Sequence, residues 1–65
     1  MRLRINASTS LSGADYDAEK QRLDITFKSG ASYTYENVPP EIAEGLERAQ
    51  SPGQFYHNSI KNVYG

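Results

Sequence analysis

Near the end of the chain, Phe55-Tyr56-His57-Asn58, with Lys61 three positions on, is the densest run of side chains able to do binding chemistry. Rings offer faces on which an unpaired base can stack, and an ammonium or imidazole offers positive charge to phosphate. On a helix, His57 and Lys61 lie four apart and share a face. Arg48 would extend a small basic edge beside Lys61, and the backbone donors after Ser51-Pro52-Gly53 would suit an anion. A structural reading competes: Phe55 and Ile60 in the core, Ser51 as a helix cap, His57 and Lys61 in solvent. A second pair of rings, Tyr33 and Tyr35, stands two apart in the run Ser32–Tyr35 and can form a stacking platform if it faces outward from a sheet.

Catalysis has little to build on. His57 is the one histidine, and acid–base work through it needs an orienting carboxylate, usually with a nucleophile. No spacing in the chain pairs it with either. One histidine, no cysteine and scattered carboxylates do not make a metal site. The expectation is therefore a non-enzyme with no catalytic residue, no metal and no cofactor.

The elements that position these residues come from a short chain. Sixty-five residues allow one domain, 1–65. A core of that size supplies only about 3–5 kcal/mol. No disulfide can help, so five tyrosines and two phenylalanines must carry much of the packing. A net charge of -1 leaves no global basic footprint for nucleic acid. The longest apolar stretch falls far short of the ~20 residues that cross a bilayer. Met1–Ser10 holds two arginines with no apolar run behind them, so it is not a secretory signal. Without such a signal, the acceptor pattern Asn6-Ala7-Ser8 carries no weight. These features describe a soluble cytoplasmic domain without a membrane partner.

Met1, Leu3 and Ile5 alternate with arginines and form a candidate N-terminal strand. Leu11 to Asp17 is a strand whose apolar residues Leu11, Ala14 and Tyr16 do not share one parity, which a bulge near Gly13 reconciles. The clearest element is the hairpin Arg22–Tyr35. A two-residue turn at Ser29-Gly30 would send both tyrosines away from Leu23, Ile25 and Phe27. A three-residue loop with Gly30 left-handed pairs Ile25 with Tyr33 and Leu23 with Tyr35, and gathers the apolar residues on one face. The second register is expected. It places Tyr33 and Tyr35 on the core face, or in a mixed arrangement with one ring buried and its hydroxyl reaching an edge.

Pro39-Pro40 ends the hairpin and opens a helix to about Ala49, with Ile42, Ala43, Leu46 and Ala49 as its buried stripe. Gly45, unfavourable in a helix, would allow close approach to the sheet. Ser51-Pro52 starts a second helix to about Lys61. Strands followed by helices give an α+β fold: a three-stranded antiparallel meander, with a candidate N-terminal fourth strand, and two short helices on one face. The expected core is Leu11, Tyr16, Leu23, Ile25, Phe27 and Tyr33 on the first half, and Tyr35, Val38, Ile42, Leu46, Phe55 and Ile60 on the second.

This ordered set resembles the KTSC domain, a family named for the C-terminal domain of some lysyl-tRNA synthetases and found also in small bacterial and phage proteins. The resemblance covers roughly Ser8 to Tyr64. It rests on Ser8-Thr9-Ser10 before Leu11, Tyr16-Asp17, the run Leu23–Gly30, the pair Tyr33 and Tyr35, Val38-Pro39 with Leu46, and the stretch Ser51–Lys61 ending at Tyr64. It implies RNA as a ligand through the synthetase context, although the slight acidity here departs from that. Two functions follow as expectations. One is a weak RNA- or single-strand-binding module using Phe55, Tyr56, His57, Asn58, Lys61, Tyr33 and Tyr35. The other is a protein-interaction module. Clustered lysines beside exposed rings would favour the first, and an exposed apolar patch the second.

Overall fold

The computed structural model describes residues 1–64. Strands β1 (Leu11–Asp17), β2 (Arg22–Phe27) and β3 (Ser32–Tyr35) form an antiparallel sheet in the order β1-β2-β3. Helices α1 (Pro40–Arg48) and α2 (Pro52–Ser59) follow. The architecture is the expected α+β meander with two helices.

The hairpin closes in the three-residue form. The Phe27 N–H donates to the Ala31 carbonyl at 2.8 Å, and the Gly30 N–H to the Phe27 carbonyl at 2.9 Å. Gly30 takes φ 99°, a backbone that side chains with a Cβ resist. Leu23 therefore lies opposite Tyr35 and Ile25 opposite Tyr33. The register of β1 shifts between Leu11 and Gly13, so that Ala14 and Tyr16 face Ile25 and Leu23 on the core side. The Tyr16 hydroxyl then donates to the Val38 carbonyl at 2.6 Å, tying the sheet to the segment that enters α1.

The candidate fourth strand is realised as one bridge, Arg2 opposite Asp15. The chain leaves β1 after Leu3 because Arg4 and Asn6 turn to α1 instead. The Arg4 N–H donates to a Glu47 carboxylate oxygen at 2.8 Å, and the Asn6 amide to the Ala49 carbonyl at 2.7 Å. Leu3 is thereby drawn into the core, a contribution the sequence reading did not assign.

Proline opens each helix, and neither N-cap makes a side-chain hydrogen bond. Ser51 is thus not a capping side chain, although its carbonyl accepts from the Phe55 N–H at 3.0 Å. Gly45 does permit a close approach, but of the other helix rather than the sheet. A Cβ there would lie 2.6 Å from the tip of the Phe55 ring.

Leu11, Tyr16, Leu23, Ile25, Tyr35, Val38, Leu46 and Ile60 are buried as expected, joined by Leu3, Ala14 and Ala43. Phe27, Ile42 and Phe55 are half-buried at its margin. Tyr33 overturns the core expectation, being 54% exposed where Tyr35 is 7%. Both share the core face of edge strand β3, but the helical cover stops short of Tyr33. Tyr56 of α2 packs on Phe27 and Tyr35, with ring centroids 5.2 and 5.9 Å away, whereas the ring packed on Tyr33 is Phe27, edge-on at 5.6 Å. The mixed arrangement is the one realised.

Candidate nucleic-acid interface

Where the helical cover ends, an open groove of about 780 Å³ remains at the turn end of the hairpin. Phe27, Tyr33, Tyr35 and Tyr56 supply its rings, and Lys28 and Lys61 its charge. Local structure explains the assembly. The loop around Gly30 returns β3 so that Tyr33 stands beside Phe27. The turn that follows α2 carries Lys61, whose N–H donates to the Tyr56 carbonyl at 2.9 Å. On the third side, the Lys28 N–H donates to the Ser10 carbonyl at 2.8 Å, which brings Thr9 and Ser10 to the groove wall.

The groove has a distinct electrostatic character. The chain carries a net charge of -1, yet among the described residues no Asp or Glu lines the groove beside the two lysines. Arg2, Arg22 and Arg48, by contrast, lie against Asp15, Glu36 and Glu44 in solvent-exposed pairs, which contribute little to stability.

Four of the residues singled out from the sequence meet here: Tyr33, Tyr35, Tyr56 and Lys61. Three do not line the groove. Phe55 packs on Gly45 between the helices, and His57 and Asn58 are exposed elsewhere on α2. Arg48 also lies outside, and the start of α2 is covered. A Cβ on Gly53 would lie 2.6 Å from the Ser10 hydroxyl and 3.3 Å from that of Ser8. Lys28, Thr9 and Ser10 were missed as groove residues. Lys28 reads as the next outward residue of an alternating strand, but the loop begins there and redirects it. Its position one step past Phe27, at a three-residue loop, was the available signal.

The groove floor holds a phenol pair. The Tyr35 and Tyr56 hydroxyls lie 2.5 Å apart. Tyr35 is held above its ordinary ionisation value by burial first and then by this hydrogen bond. Tyr16 is raised likewise by burial, with the charges of Glu41 and Asp17 adding to it. A free phenol ionises near pH 10. Because the folded-state values are higher, the stability from these phenols is full below about pH 10 and is lost as pH rises through the folded values. The expected result is that the advantage of the native chain over Tyr35→Phe, measured as a urea midpoint, shrinks as pH is raised past about 10. An advantage that grows over that range would contradict the assignment.

No helix among the described residues is long and apolar enough to cross a membrane. Among the same residues, no three His, Asp or Glu side chains group closely enough to hold a metal ion.

Fold and groove define a small α+β module with a ring-lined, lysine-flanked surface. The family model of the KTSC domain matches residues 7–64, and the chain belongs to that family. An uncharacterised protein of Stutzerimonas stutzeri is 44% identical over 54 residues, spanning 83% of this chain and 76% of that protein. A lysine–tRNA ligase of Nostoc punctiforme is 41% identical over 49 residues, which are 75% of this chain and 9% of the ligase. The crystal structure of a KTSC domain protein from Yersinia pestis matches with a TM-score of 0.90 at 26% identity, covering 100% of this chain and 90% of that one.

Proposed function

We propose that residues 1–65 act as one non-catalytic KTSC domain that binds single-stranded nucleic acid, RNA foremost, in the groove between the hairpin turn and the end of α2. The observation that carries this reading is the company Tyr33 keeps. A ring 54% exposed shares a groove with two lysines and, among the described residues, no Asp or Glu, in a chain that is slightly acidic. An unpaired base has a π-face for such a ring, and its phosphates have charge for the lysines. In an A-form duplex the bases are stacked and the major groove is too narrow for side chains, so the ligand class is single-stranded.

Relatives named lysine–tRNA ligases carry a similar stretch, which supports RNA as the nucleic acid. His57 and Asn58, exposed on α2, would add contacts only from a strand that runs past the groove. Binding is weak, because two lysines neutralise few phosphates.

Titration of a mixed-sequence single-stranded RNA at several salt concentrations tests the reading. With two phosphates neutralised, the logarithm of the affinity should fall against that of salt with a slope of about -1.4. A complex insensitive to salt, or no complex at near-millimolar RNA, would overturn it and turn attention to a protein partner.

A further inference from the structure

The phenol pair at the groove floor says more about the ligand. Its two hydroxyls share one hydrogen bond, and it is the only one that either makes among the described residues. One phenol must donate and the other accept, so one proton is left over. Both rings line the groove, but Tyr35 is buried where Tyr56 is half-buried, so the leftover proton is better solvated on Tyr56. Tyr35 therefore donates to Tyr56, and burial together with that bond keeps Tyr35 protonated. The remaining proton belongs to Tyr56. A hydroxyl that already accepts a hydrogen bond is a stronger donor, since such chains polarise one another.

This donor stands in a groove whose charged residues, among those described, are Lys28 and Lys61, and whose walls include Thr9 and Ser10. Donors and cations converging on one space match an oxygen that carries negative charge. The stacking surface of Tyr33 lies in the same groove.

We infer that the Tyr56 hydroxyl donates to a backbone phosphodiester oxygen of the bound strand, with Tyr35 as the positioning residue behind it and Tyr33 taking the adjacent base. This rests on the reading of the groove as a single-strand site, and adds which group of the ligand the floor recognises.

The test compares a short uridine oligomer bearing phosphodiester linkages with one bearing uncharged methylphosphonate linkages. Tyr56→Phe should weaken binding of the phosphodiester oligomer about tenfold, the loss of one hydrogen bond to a charged oxygen. It should weaken binding of the neutral oligomer by only about threefold, since the methylphosphonate oxygen still accepts but without charge, and such a bond is about half as strong. Tyr35→Phe should fall between native and Tyr56→Phe, because it removes the orientation and leaves the donor. Tyr56→Phe deprives the buried Tyr35 hydroxyl of its acceptor, so the double variant Tyr35→Phe/Tyr56→Phe serves as control. It strands no phenol, and should show the same tenfold loss with a cooperative melt.

Equal losses on both oligomers, or no loss on either, would overturn the phosphate assignment while leaving the groove a nucleic-acid site. Failure of the native protein to bind either oligomer would overturn both readings.

Discussion

Leu23→Ala is expected to leave most molecules unfolded at 25 °C. Leu23 is fully buried on the central strand, opposite Tyr16 on one side and Tyr35 on the other. Truncation opens a cavity that the flanking rings cannot collapse to fill, because Tyr16 is fixed to the Val38 carbonyl and Tyr35 to Tyr56. Leucine-to-alanine changes at such sites cost about 2.7–5 kcal/mol, against a total stability of about 3–5 kcal/mol for a chain of this size. Circular dichroism on heating measures it directly. A cooperative melt within a few degrees of the native one would show that Leu23 does not anchor the core.

Tyr33→Ala is expected to do the opposite: leave the fold nearly intact and remove most of the binding. The ring is exposed, its packing partner is the edge of Phe27, and its backbone keeps the ladder with Ile25. Stacking of one base on an aromatic side chain contributes about 1–3 kcal/mol, so single-strand affinity should drop by about five- to 150-fold. The salt dependence should be unchanged, because Lys28 and Lys61 remain. An unaltered affinity would remove Tyr33 from the site, and a large loss of stability would return it to the core.

The contrast between Leu23 and Tyr33 shows what was legible in the sequence. The hairpin register, the bulge near Gly13 and the two proline-initiated helices follow from local rules of alternation and turn chemistry, and all appear at the expected places. Parity says which face a strand residue shares, but not how far the opposing helices extend over that face. Tyr33 and Tyr35 have the same parity and opposite burial for that reason. Leu3 escaped notice because its burial depends on the N-terminal segment crossing to Glu47 and Ala49, more than forty residues away.

The candidate site was half legible. Tyr56 and Lys61 stood out as a ring and a cation near one another in sequence, and Tyr33 as an exposed ring only if the sheet were uncovered. Lys28 and Ser10 join them through a backbone hydrogen bond between the hairpin turn and the segment before β1. No spacing within either segment encodes that contact.

The central claim is that the groove carries the binding. Amide chemical-shift changes on titrating a mixed-sequence single-stranded RNA, at low and then moderate salt, test it most directly. The account predicts changes concentrated at Lys28, Ser29, Tyr33, Thr34 and the segment from Tyr56 to Lys61, fading as salt rises. Changes centred on the acidic face of α1, around Glu41 and Glu44, or none at near-millimolar RNA, would contradict it.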